Sequence, residues 1–146
     1  MKICTLTKET IIDATTLFNA YRQFYGQQTN LKEAERFLTD RLTKKESIVF
    51  LAYHETVPVG FVQLYPMFSS VAMKKAFILN DLYVVEQARK QGVAQGLIEH
   101  CYEYCKQFDA RYITLETSIN NIQAQRLYEK VGMNVEDEVL HYSKYW

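Results

Sequence analysis

Residues 76–85 are apolar at both parities: Ala76, Ile78, Leu82 and Val84 alternate with Phe77, Leu79, Tyr83 and Val85. A run apolar on both faces of the pleat belongs in the middle of a sheet with a layer on each side. Directly after it, residues 92–108 switch to helical spacing, with Ala94, Leu97, Ile98, Cys101, Cys105 and Phe108 forming one stripe. A central strand that runs at once into a strongly amphipathic helix demands a layered α/β arrangement.

The other segments supply the remaining layers. Residues 3–6 read as a short first strand. Over 9–25, Ile11, Ala14, Leu17, Phe18, Tyr21 and Tyr25 recur at helical spacing, and Gly26 with Gln27, Gln28, Thr29 and Asn30 ends that helix. Leu31, Ala34, Phe37, Leu38, Arg41 and Leu42 share one side of a second helix. Residues 47–54 and 57–65 are β-rich runs joined by Glu55-Thr56, a tight hairpin without the favoured Asn-Gly pair. Further on, 112–117 is a strand and 121–131 a helix closed by Gly132; 134–135 and 139–145 in the tail are strand-like. The order is β-α-α-β-β-β-α-β-α-β-β, without repeat, linker or low-complexity segment. A chain of 146 residues fits a single domain, 1–146, around one core.

Seventeen basic residues balance seventeen acidic ones, so no global field draws the chain to nucleic acid or to an anionic membrane. The start, Met1-Lys2-Ile3-Cys4-Thr5, lacks the apolar stretch of a secretory signal, and no apolar run approaches the ~20 residues of a membrane helix. Three cysteines, an odd number, speak against a disulfide framework and for a reducing, cytoplasmic setting. Cys101 and Cys105 lie one turn apart beside His100, but zinc needs about four ligands and Cys4 has no evident reason to be close, so core packing and no metal is the expectation. His54 and His141 assemble no nucleophile–base pair with them.

Two segments carry chemistry. The first is the junction Arg89-Lys90-Gln91-Gly92-Val93-Ala94 between central strand and helix. A first helical turn exposes unpaired N–H groups and the positive end of the dipole, which suits phosphate; Gly92 permits close approach, and Arg89 and Lys90 add charge. A solvated turn ahead of an ordinary helix is the alternative. The second is Asn121-Ile122-Gln123-Ala124-Gln125-Arg126-Leu127-Tyr128-Glu129-Lys130-Val131-Gly132, where Ala124, Leu127, Tyr128 and Val131 share a face. Taken alone, Asn121 is a helix cap and Tyr128 a core tyrosine.

Together the two segments resemble the acetyl-CoA binding pattern of the GNAT superfamily of N-acetyltransferases: Arg/Gln-x-x-Gly-x-Gly/Ala at a strand-to-helix turn, then Asn-x-x-Ala-x-x-Leu-Tyr-Glu-Lys-x-Gly. The element order agrees over essentially the whole chain. The resemblance implies an α/β (α+β) fold with a mixed, mostly antiparallel sheet of about seven strands flanked by about four helices. It implies acetyl-CoA as co-substrate, with pantetheine along Leu82, Tyr83 and Val84. The pyrophosphate would lie over Lys90, Gln91, Gly92, Val93, Ala94 and Gln95, with Arg89 near, and Asn121 would touch the cofactor arm. Tyr128, on the first turns of its helix, corresponds to the phenol beside the CoA sulfur; with a reference pKa of ~10, a phenol can protonate a departing thiolate. Relatives often carry Gly at the position of Lys90.

The base is open. Some relatives carry a glutamate on the central strand; here Asn80 and Asp81 interrupt the apolar run, which costs desolvation unless they are paired or reach a cleft. Asp81 either takes the amine proton or holds a cationic substrate, or it marks a kink in the strand. The acceptor side implied by the resemblance includes Tyr21, Arg22, Phe24, Tyr25, Tyr65, Phe68, Tyr142 and Tyr145, suited to a small-molecule amine such as an amino acid or a polyamine, or to a peptide amine. Family habit also implies a homodimer. The rivals are an acyl-CoA-binding sensor without turnover, against which Tyr128 argues, and a plain nucleotide-binding module, against which the lack of G-x-G-x-x-G or a P-loop argues.

Overall fold

A computed structural model describes all residues, 1–146. Its contacts divide the chain into two compact units, Met1–Glu116 and Thr117–Trp146.

The first unit holds a five-stranded sheet in sequential order: β1 (Lys2–Thr5), β2 (Ile48–His54), β3 (Val57–Ser69), β4 (Lys74–Val84) and β5 (Ile113–Thr114). The first three pairings are antiparallel and β4–β5 is parallel. Between β1 and β2 come α1 (Ile11–Phe24) and α2 (Leu31–Thr43), and after β4 comes α3 (Val93–Gln107). α1 ends where Gly26 enters the left-handed region at φ 86° and the Gln27 N–H returns to the Arg22 carbonyl at 2.9 Å. Asn30 caps α2 by accepting from the Glu33 N–H at 3.2 Å. The buried Asn19 fixes the loop between them, donating to Thr29 Oγ1 at 3.0 Å and accepting from the Asn30 N–H at 2.8 Å. The β2–β3 turn, lacking Asn-Gly, holds Glu55 at φ 55°, a conformation Asn or Gly would adopt at lower cost.

Side chains alternate between two helical layers. Val49, Leu51, Tyr53 and Phe61 join Leu6, Ala14, Leu17, Phe18, Ala34 and Leu38 beneath α1 and α2. On the opposite face, Phe50 meets His100 and Tyr104, and Phe77 meets Tyr104 and Phe108, all from α3 and its end. Cys101 and Cys105 belong to that layer; burial pushes both thiols up, Cys105 to about 11, as befits packing residues.

The second unit contains α4 (Ile122–Lys130) and the tail. The sheet thus has five strands, not about seven. The strand expected over 112–117 pairs only at Ile113 and Thr114, and the stretches at 134–135 and 139–145 form no strand. Val139, Leu140, Tyr142 and Tyr145 are 65–89% exposed, so their β-propensity finds neither a ladder nor a buried face to act on.

Gly60 lets α3 sit against the sheet. A Cβ there would stand 2.9 Å from the Tyr83 carbonyl oxygen, 3.2 Å from Val93 Cγ1 and 3.3 Å from Val84 Cγ2. Gly60→Ala is therefore expected to destabilise by about 1–3 kcal/mol, because backbone rather than a flexible chain end must yield. Thermal unfolding measures it; an unchanged midpoint would mean that the strand and helix have room to part.

Candidate active site

The strand residues of the site are set by one irregularity. β3 and β4 pair Gln63 with Asp81 but Leu64 with Leu79, so Asn80 is an extra residue in β4. Phe77 and Leu79 face α3, and beyond the bulge Leu82 and Val84, opposite Val62 and Gly60, face the same way. Asp81 and Tyr83 therefore lie on the α1 face with Gln63 and Phe61. Tyr21 of α1 confirms the placement: its ring is 5.7 Å from Phe61 and 6.3 Å from Tyr83. The kink expected as one reading of this pair is present, and Asp81 beside it turns to the α1 face.

Asp81 is 6% exposed and Gln63 wholly buried. Gln63 Nε2 donates to Asp81 Oδ2 at 2.6 Å, Asn80 Nδ2 donates to Oδ1 at 3.1 Å, and the Tyr21 hydroxyl donates to the same carboxylate. Burial raises the Asp81 pKa above its ordinary value; these donors hold the rise back. Gln63 Oε1 is buried and has no hydrogen-bond partner. Burial, then the Asp81 charge, push the neighbouring Tyr65 phenol up to about 12, while Arg41 pulls it back. Gln63 was missed in the sequence. Its signal was a lone amide in the apolar run Val59-Gly60-Phe61-Val62-Gln63-Leu64, but only the register sets it opposite Asp81.

The second element of the site is an open strand edge. β5 pairs with β4 only at Phe77 and Ile78, so no strand lies beside β4 from Leu79 onward. The Val85 N–H points to the Val59 carbonyl on β3. By alternation Tyr83 points that way too, and Leu82 and Val84 direct their N–H and C=O to the open edge. Arg89 takes one of these groups: its Nε donates to the Val84 carbonyl at 2.9 Å, with its guanidinium over the rings of Phe24 and Tyr83 at 5.5 and 5.8 Å.

The third is the turn at the end of that edge. Lys90 takes φ 61° and Gly92 φ 83°, and Gly92 caps α3 without any side-chain hydrogen bond. The N–H groups of the first turn are left bare, and a Cβ on Gly92 would meet no protein atom within 4 Å. Glycine is required here by backbone conformation and by open space, not by packing. Lys90 stands where a glycine would sit without strain. Val93 is buried under the turn, Ala94 is half-buried, Gln91 Nε2 donates to the Gln87 carbonyl at 3.1 Å, and Gln95 Nε2 to Glu99 at 2.9 Å.

In the second unit, Asn121 caps α4, its Oδ1 accepting from the Ala124 N–H at 3.1 Å. Tyr128 is half-buried and sits in the last turn of α4, not the first turns. Of the acceptor residues expected from the sequence, Tyr21, Arg22 and Tyr65 are half-buried in the first unit, whereas Phe24, Tyr25 and Phe68 are exposed. Tyr142 and Tyr145 lie exposed in the tail.

An open strand edge leading to a bare helix start is the layout of a protein that holds an extended, phosphate-bearing molecule. Residues 14–133 match the Acetyltransferase (GNAT) family. The chain is 44% identical over 126 residues to the Bacillus subtilis (strain 168) protein named uncharacterized N-acetyltransferase YhfO, covering 86% of this chain and 85% of that one. It is 37% identical over 89 residues to a Haemophilus influenzae protein named probable acetyltransferase, covering 60% of this chain and 61% of that one. A crystal structure described as that of a probable acetyltransferase superposes with a TM-score of 0.95 at 37% identity, over 100% of this chain and 98% of the other. The chain belongs to the GNAT family of acetyl-CoA-dependent N-acetyltransferases. No helix is long and apolar enough to cross a membrane.

The raised Asp81 pKa gives a stability test. A folded pKa above the unfolded one means that the native state binds the proton more tightly. Its stability is then fully present below the ordinary carboxylate value and is lost as pH rises through the raised value. Asp81→Asn removes that loss, because the amide does not ionise. The variant should melt above wild type at neutral pH, with the gap closing on acidification; a gap independent of pH would count against Asp81 as the titrating group.

Proposed function

We propose that the chain is one N-acetyltransferase domain, comprising both units, that moves the acetyl group of acetyl-CoA to the amine of a small molecule. The observation that carries this is the unpaired β4 edge running straight into the bare first turn of α3. Pantetheine, an extended chain of amides, would pair with the Leu82 and Val84 backbone as a strand does, beside Tyr83. The pyrophosphate would accept hydrogen bonds from the N–H groups over Gln91, Gly92, Val93, Ala94 and Gln95, with Lys90 adding charge. Arg89 contributes by fixing the end of the strand. Asn121 supports the arm from the cap of α4, a role carried by its motif match.

In the reaction the neutral amine nitrogen forms a bond to the thioester carbonyl carbon, and the electron pair of the C=O moves to oxygen. Collapse breaks the C–S bond; the sulfur leaves with its electrons and takes a proton, and the nitrogen gives one up. A strand N–H at Leu82 can polarise the carbonyl. Asp81 receives the amine proton; its raised pKa brings it nearer to neutrality, which suits a base. Tyr128 supplies the proton to sulfur, a role supported by the match of its motif. An aromatic-lined, partly charged acceptor side favours a small amine over a protein, and the cytoplasm is the setting.

Two variants test the assignment. Gly92→Asp places a Cβ and a like charge where phosphate would sit, so calorimetry should show acetyl-CoA affinity falling at least about 100-fold in a folded protein. Unchanged affinity would remove the turn from the site. Tyr128→Phe keeps the ring and deletes the acid, so kcat should fall about 10²–10³-fold with little change in acetyl-CoA affinity. Full activity with chemistry rate-limiting would end that role, and lost affinity at unchanged kcat would make Tyr128 a binding residue.

A further inference from the structure

Gln63 is a wholly buried amide in β3, with Val62 and Leu64 as its chain neighbours. Its Nε2 donates to Asp81 Oδ2 at 2.6 Å, while its Oε1 has no partner. Leucine or methionine would fill a similar volume without taking an amide out of water. The interaction that offsets this cost is the bond to the carboxylate. It is short for an N–H donor, as charge-assisted bonds are.

The register brings the two side chains together. β3 and β4 pair Gln63 directly with Asp81, and the extra residue Asn80 turns Asp81 to the α1 face, where Gln63 lies. Asn80 Nδ2 donates to Oδ1 at 3.1 Å, and the Tyr21 hydroxyl donates from α1. Asn80 is exposed and Tyr21 half-buried, so water competes for both positions. Gln63 is out of reach of water. It is equally out of reach of a substrate, so whatever it does for the reaction passes through Asp81.

Resting on the reading in which Asp81 takes the amine proton, we propose that Gln63 is the positioning residue for that base, holding Oδ2 in place and favouring the anionic, proton-accepting form. A donor to the anion lowers a carboxyl pKa, whereas burial raises it. Burial prevails at Asp81, and Gln63 is foremost among the donors that limit the rise. Without Gln63 the base would stay protonated over a wider range of pH. The other titratable or charged groups on this face are Tyr21 from α1, Tyr65 from β3, Arg41 from α2, which acts on Tyr65, and Tyr83 on β4 itself. Phenols and guanidinium ordinarily ionise at about 10 and above, so an acid limb in the rate belongs to the carboxyl group.

Gln63→Met keeps the length of the side chain and deletes the amide; Gln63→Leu replaces it if that variant does not fold. Thiol release from saturating acetyl-CoA is followed as kcat against pH, with one small amine, chosen from a panel of amino acids, alkylamines and polyamines, as acceptor throughout. The acid limb should move up by about one pH unit or more, which is about a tenfold lower rate below the limb, the scale of a charge-assisted hydrogen bond. Above the limb the rate should stay close to wild type. An NMR titration of the Asp81 carboxyl carbon, assigned with Asp81→Asn, should show the same upward shift with no acceptor present. Either measurement staying in place in a folded variant overturns the inference, as does an equal fall in kcat at every pH, which is what a packing role alone would give. A wild-type profile in Asp81→Asn would instead remove Asp81 as the base, and absence of thiol release with every amine would sink acetyl transfer. Each takes this inference with it, and neither resembles a limb that fails to move.

Discussion

One extra residue, Asn80, decides which side chains of β4 meet which layer. In an unbroken strand Ile78, Asn80, Leu82 and Val84 would share the α1 face, and Asp81 would be driven beneath the apolar face of α3. With the bulge, the α3 face receives Phe77, Leu79, Leu82 and Val84, while Asp81 and Tyr83 turn to Tyr21. The same offset leaves the backbone of Leu82 and Val84 directed at the open edge. The carboxylate and the exposed peptide groups are therefore two results of a single irregularity. Neither could be moved by one residue without losing the other.

Features that depend on neighbouring residues were legible in the sequence. The α3 stripe, the end of α1 at Gly26 and the cap Asn121 all answer to spacing or to local hydrogen bonding. What escaped depends on register between strands. Counting Ile78, Leu82 and Val84 on one parity of β4 assumed a straight ladder, and Gln63 drew no notice because its partner stands in the next strand. Of the residues that line a pocket between α1 and α2, Arg22 was singled out in the sequence, while Arg41 and Phe37 were seen only as one face of a helix. The tail failed differently. Aromatic and β-branched residues there carry strand propensity, yet propensity without a paired edge does not make a strand.

The turn after β4 combines backbone strain with an uncapped helix start. Two left-handed positions, Lys90 and Gly92, one on each side of Gln91, bring the chain round so that α3 begins with its N–H groups uncapped. A serine or aspartate at position 92 would cap the helix and stabilise it alone, but its oxygen would occupy the donors that a phosphate needs. Lys90 bears a backbone cost that glycine would not, and keeps a cation beside those donors. Arg89 closes the arrangement from the other side by tying its side chain to the Val84 carbonyl and to two aromatic rings.

The Gln63–Asp81 pair is where folding and chemistry conflict most plainly. A sheet built only for stability would place leucine at both positions, since they are buried between Phe61 and Tyr83 and the rings of α1. Instead the strand buries a carboxylate, provides it with three donors, and leaves one amide oxygen without a partner. An orphaned buried acceptor costs about 1–3 kcal/mol. Burial favours the protonated acid, while Gln63 Nε2, Tyr21 and Asn80 favour the anion. Burial outweighs the donors, so Asp81 holds its proton more tightly than an exposed aspartate does.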